Sequence, residues 1–111
     1  DSLMLSEFIY NIPSFKSKEE VYAMCDDINQ CKYILKSAID CLNKIDNFSI
    51  ATVQFELKNL MEELNLKPKN LLGTLRIVIT NQKISPPVFD CISILGKKES
   101  VNRISSALDF I

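Results

Sequence analysis

Carboxylates stand in adjacent pairs along this chain: Glu19 with Glu20, Asp26 with Asp27, Glu62 with Glu63. Two carboxyls can share a proton or hold a divalent cation when both point at one spot. Successive residues of a helix point about 100° apart, so these pairs read as solvated helix faces. The sequence has no histidine, which removes the imidazole base and every histidine-based triad. Its two glycines, Gly73 and Gly96, are too few for a phosphate-cradling loop. The four cysteines, Cys25, Cys31, Cys41 and Cys91, include no C-x-x-C pair, so their spacing argues against zinc. Buried free thiols in a reducing cytosol are the default for them, with a disulfide framework the less motivated option. One residue stands out against its surroundings: Arg76, inside the apolar run TLRIVIT. Such an arginine either covers core with its stem and keeps its head in water, or offers five fixed donors to a ligand. Nothing here indicates catalysis, and a helical binding module is the class that remains.

The elements that must position Arg76 follow from apolar spacing. The chain has 111 residues, 47% hydrophobic and 24% charged, enough for one globular domain with a modest core. Ser17 to Glu20 fits a capping box, with a short helix running on to Met24. From Asp27 to Ile45, the residues Ile28, Cys31, Ile34, Leu35, Ala38, Ile39, Leu42 and Ile45 make one helical stripe. A third helix runs from near Ser49 to Leu64, with Ile50, Val53, Leu57, Leu60, Met61 and Leu64 inward. Pro68 suits the first turn of a fourth. The β-branched residues of TLRIVIT suggest a strand, but Leu71, Leu72, Leu75, Val78 and Ile79 share a helical face, and a lone strand could not satisfy its backbone. The reading is therefore helix, ended by Asn81 in a left-handed cap. Ser85 and Pro86 read as N-cap and first residue of a fifth helix that stops at Gly96, and a sixth spans residues 97–110. The expected fold is all-α, a compact bundle or cage of about five or six helices. No apolar stretch approaches the ~20 residues of a membrane span, and no signal-peptide pattern opens the chain. The start at Asp1 rather than methionine suggests a fragment of a longer protein.

The formal charge of −1 conceals an asymmetry. Residues 1–66 carry six Lys/Arg against eleven Asp/Glu, a net −5, and residues 67–111 carry seven against three, a net +4. A polyanionic partner would prefer the second part.

That part also carries a family pattern. Leu75-Arg76-Ile77-Val78-Ile79-Thr80, then Ser85-Pro86, then Ile94-Leu95-Gly96-Lys97, then Arg103-Ile104 and Ala107-Leu108 follow in order and spacing. The sequence thereby resembles the C-terminal anticodon-binding domain of bacterial glutamyl-tRNA synthetases, which are class I aminoacyl-tRNA synthetases. Upstream, FSIATVQFELKNLMEELNLKPKNL looks like that family's preceding helix and link, with Phe48 where tryptophan is common. Residues 1–47 match in helical character alone.

The resemblance implies a non-catalytic, RNA-reading domain of 1–111, matching best over 67–111. The parent would be a cytoplasmic, monomeric glutamate–tRNA ligase, with ATP and magnesium in a catalytic domain elsewhere and no cofactor here. Its partner would be the anticodon loop of glutamate tRNA. By resemblance the RNA contacts are Arg76, Ser85 and Val88; from its place in the link, Lys83 is a candidate phosphate partner, and Lys97, Lys98 and Arg103 are weaker ones. The chemistry agrees, since loop bases expose edges and faces. A guanidinium suits a base carbonyl or phosphate, a serine hydroxyl donates or accepts, and an aliphatic side chain supports a base face. Ser85 read from the sequence alone is an N-cap, and Val88 alone is a core residue. Asn81 departs from the family's glycine, Pro87 stiffens the entry to the helix, and Val88 is smaller than the usual leucine. An arginine reading the third anticodon letter would precede this portion. Two other readings stand beside this one. One is a protein-interaction module using Phe8, Ile9 and Tyr10, and the other is the anticodon domain of a class I lysyl-tRNA synthetase.

Overall fold

The computed structural model describes residues 9–82 and 85–111, and among them there are helices and links but no strand. Helix α1 spans Lys18–Val21, α2 Ile28–Asn43 and α3 Ile50–Glu63. A π-helical turn, Lys69–Gly73, leads directly into α4, Thr74–Ile79, and α5 spans Val88–Phe110. The all-α expectation holds, and TLRIVIT is helical.

Local chemistry starts and stops these helices. Asp27 caps α2 by accepting from the Gln30 amide at 2.8 Å. Ser49 caps α3 by accepting from the Thr52 amide at 3.2 Å. Asn65, at φ 54°, ends α3 in a left-handed turn. The Leu66 amide then donates to the Met61 carbonyl and the Asn65 amide to that of Glu62, the two bonds of a Schellman cap. Asn81 takes the left-handed conformation expected of it, φ 46°.

Three expected boundaries move. Ser17 sits at the N-cap of α1 without a side-chain bond, and the Glu20 carboxylate accepts from the Lys16 amide instead of completing a capping box. Helix α1 stops at Val21 rather than Met24. The helix expected from Ser85-Pro86 begins at Val88, with Pro87 at its cap, φ −51° and ψ 144°. A residue before proline is driven out of the helical region, so Pro87 keeps Pro86 extended. Pro87 also has no N–H for a serine cap to bind.

Gly96 breaks α5 as expected, at φ 85° and ψ 168°, a region in effect open to glycine alone. Its two arms fold back on each other: the Ser100 hydroxyl donates to the Ile92 carbonyl at 3.1 Å. Eight residues of unbroken helix would separate those residues by ~12 Å.

The core lies where α2 meets α3 and α5 and where α4 packs on α5. Ile34, Leu35, Leu42, Leu57, Leu71, Leu75, Ile79, Ile92 and Ile104 are wholly buried there. Ile50, expected inward on α3, is exposed. The link before α2 is held to the π turn by two bonds. Asn70 Nδ2 donates to the Met24 carbonyl at 2.8 Å, and Cys25 Sγ lies 3.2 Å from Thr74 Oγ1. Met24 also packs against Gly73, where an added Cβ would lie 3.0 Å from Met24 Cγ.

Candidate functional site

The packing of α4 decides where Arg76 points. Thr74, Leu75, Val78 and Ile79 are buried, which turns Arg76 outward and leaves Ile77 at the margin. The backbone beneath Arg76 is fixed. Its carbonyl accepts from the Thr80 amide and Thr80 hydroxyl, both at 2.9 Å, and from the Asn81 amide at 3.1 Å. The guanidinium projects from that anchored turn into a groove of about 760 Å³. Met24, Leu72, Ile77, Val88 and Phe89 supply its apolar surface, and Lys69 and Arg76 are its two charged lining residues. Among the described residues, no aspartate or glutamate lines it. Among the described residues neither cation has an ion-pair partner.

Val88 is 5% exposed, so it belongs to the core and to the groove's edge at once. Ser85 does not line the groove. Its hydroxyl donates to the Pro86 carbonyl at 3.1 Å and caps no helix. Lys83 lies outside the described residues. Lys98 is exposed, and Lys97 donates to the Asn43 carbonyl at 3.4 Å, at the C-terminal end of α2. Arg103, expected as a weaker RNA contact, is a buried structural residue. Its Nε pairs with Glu99 at 2.8 Å, and its terminal nitrogens donate to the carbonyls of Ile79 at 2.7 Å and Ile9 at 3.4 Å.

The thiols beside these elements are kept neutral. Burial pushes Cys91 up to about 11, with Asp90 adding to the rise and Arg76 and Arg103 opposing it. Burial likewise lifts Cys41 to about 11 and Cys31 to about 12. All four cysteines are free. No three potential ligand side chains among the described residues converge on a metal position. No described helix is long and apolar enough to cross a membrane. Of the interaction-module residues, Ile9 and Tyr10 are exposed and Phe8 lies outside the described residues.

Among the described residues the site is thus a mainly apolar groove with two unpaired cations and no acid. Such a surface suits the face of a base and the anionic backbone attached to it. Comparison with known proteins points the same way. The family model described as an anticodon binding domain matches residues 3–108. The chain belongs to the anticodon-binding domain family. The match reaches well upstream of residues 67–111, into helices that show only their periodicity to a reader of the sequence. Among similar proteins is a glutamate–tRNA ligase of Nocardioides sp., 33% identical over 76 residues, 68% of this chain and 16% of that protein. Another, from Dehalococcoides mccartyi, is 36% identical over 74 residues, 67% of this chain and 15% of that protein. The chain therefore spans about a sixth of the length of the curated relatives it matches. A crystal structure of a glutamate tRNA ligase from Elizabethkingia meningosepticum, in complex with its amino acid, superposes with a TM-score of 0.82. That likeness covers 96% of this anticodon-binding domain and 21% of the other chain at 17% identity, and it speaks to the fold.

Lys69 and Phe89 are among the groove residues that sequence reasoning passed over. Lys69 stands seven residues before Arg76, nearly two helical turns, a spacing that returns to the same face. That period was the available signal.

Proposed function

We propose that this anticodon-binding domain reads the anticodon loop of glutamate tRNA as part of a glutamate–tRNA ligase. The observation that carries the reading is the Arg76 guanidinium, unpaired among the described residues, at a mainly apolar groove whose described lining holds no acid. The glutamate–tRNA ligases among its relatives supply the identity of the tRNA. Anticodon bases are unstacked in their loop, so edges and faces are open to a protein. Arg76 hydrogen-bonds a base carbonyl or a phosphate, Val88 and its apolar neighbours support the base face, and Lys83 adds a phosphate contact from the link. Ser85 contributes only if its hydroxyl turns away from Pro86. The domain acts by positioning: a correct anticodon docks, and the acceptor end is thereby oriented elsewhere on the ligase. Activation of glutamate with ATP and magnesium belongs to the rest of that cytoplasmic enzyme, and no step of it falls on this chain.

An NMR titration of the chain with a stem-loop bearing a glutamate anticodon tests this. Amide shifts gathered on Arg76, Asn81, Val88 and Phe89 are expected, with smaller shifts for an exchanged anticodon. Shifts confined to α2 and α3, or equal for both RNAs, would refute the reading.

A further inference from the structure

We propose that Lys69 is a second RNA-contacting residue, holding the backbone phosphate of the nucleotide whose base lies over the groove. The inference rests on the anticodon reading above and deepens it. Lys69 and Arg76 line one groove and are its charged lining residues among those described. They occupy a single helical run, the π turn followed by α4, seven positions apart. At the rise of a helix this separates their backbones by on the order of 10 Å along the axis. That interval is comparable to the reach from a base edge to the phosphate of the same nucleotide.

The same groove is lined by apolar Met24, Leu72, Ile77, Val88 and Phe89, with Asn81 and Gln82 as its neutral polar members. A mainly apolar groove with two cations in its lining, and no carboxylate among its described lining residues, matches a ligand with a flat uncharged face and an anionic tail. An acidic peptide would use the cations and leave the apolar lining bare. An apolar helix would cover that lining and strand the cations. A nucleotide satisfies both.

The two cations then do different work. Arg76 offers a planar fork of donors and so can discriminate among base edges. Lys69 offers a compact charge on a flexible stem, which suits a phosphate and is indifferent to sequence. Lys69 is exposed, so its replacement leaves the fold intact.

The test measures affinity of the 111-residue chain for two stem-loops, one with a glutamate anticodon and one with its anticodon letters exchanged, across a range of salt. Lys69→Gln is expected to weaken both RNAs by the same factor, several-fold. It should also reduce the slope of log affinity against log salt by about 0.7, one phosphate of a single strand. Lys69→Arg should restore the slope. Lys67→Gln is the control: an exposed lysine two residues away that does not line the groove, expected to keep the wild-type slope. An unchanged slope in Lys69→Gln, or an equal loss in Lys67→Gln, overturns the assignment while leaving the anticodon reading in place. Wild-type chain that binds neither stem-loop overturns both.

Discussion

Arg76 and Arg103 stand on contacting helices and hold the same guanidinium in opposite circumstances. Arg103 is 4% exposed, and its nitrogens meet Glu99 and two backbone carbonyls. Arg76 is exposed and borders the groove, and its guanidinium has no hydrogen-bond or ion-pair partner among the described residues. The first ties the end of α4 to the second arm of α5 and to the segment at Ile9. The second stands exposed at the groove, and the proposed RNA contact rests on it. A charge is therefore structural or functional according to which acceptors the fold brings within its reach, and α4 supplies one of each kind. Its last carbonyls serve Arg103, and its outward face serves Arg76.

Exchanging the experiments breaks that comparison most directly. Arg103→Ala strands the Ile79 carbonyl and the Glu99 carboxylate. Since Glu99 is partly solvated, the loss of folding stability is expected near the lower end of the ~3–5 kcal/mol typical of a broken buried pair. Arg76→Ala is expected to change stability by under about 0.5 kcal/mol, as exposed substitutions do. It should nevertheless weaken the anticodon stem-loop by ~1.5–3 kcal/mol, the range of a charged hydrogen bond. Urea melts and binding isotherms on both variants decide it. Similar stability losses in the two would mean that Arg76 has a structural partner and that the contrast is wrong.

A smaller effect is expected at Gly96, the turn that lets the second arm of α5 carry Arg103 back toward Ile79. An added Cβ meets nothing within 4 Å there, so crowding is not the issue. The cost of Gly96→Ala is backbone strain at φ 85°, ~1–3 kcal/mol. Its urea midpoint should fall between those of wild type and Arg103→Ala. A midpoint equal to wild type would show that the turn relaxes at no cost and does not hold Arg103 in place.

What the sequence disclosed, and what it withheld, follows the reach of the interactions. The stripe of α2 was legible because helical periodicity is local, and so were the helix starts at Asp27 and Ser49 and the cap at Asn81. Arg76 was legible because a charge inside TLRIVIT breaks a local pattern. Arg103 was misread because its partners come from far along the chain: the Ile79 carbonyl lies 24 residues upstream and that of Ile9 lies 94. No periodicity announces a backbone carbonyl turned inward by a distant helix end. Ser85 failed for a different reason. Serine before proline does signal a helix start, but the second proline, Pro87, holds Pro86 out of the helix and removes an amide the serine would need. The groove itself was invisible, since Met24, Lys69 and Phe89 meet only after the Asn70–Met24 bond and the packing of α4 on α5 bring three segments together.

The thiols give the finest resolution of the two surroundings, and the smallest effect. An unfolded cysteine ionises near pH 9, whereas burial holds Cys31 up to about 12, with Cys25 adding to the rise, and Cys91 up to about 11. Above pH 9 the unfolded chain has released protons that the folded chain retains. Stability is therefore complete below that pH and declines as pH rises through the folded values. Melting midpoints followed from about pH 8 to about pH 10.5 should fall, and Cys31→Ala should show a shallower fall from a lower start. Parallel curves would mean that Cys31 titrates alike in both states. The same series on Arg76→Ala is the most delicate comparison of the two arginines. Both hold Cys91 down against burial and Asp90. Losing the exposed one lets that thiol rise further, so the alkaline decline should steepen slightly. A curve that overlays wild type would show that water screens Arg76 from Cys91, which leaves Arg103 as the cation that Cys91 senses.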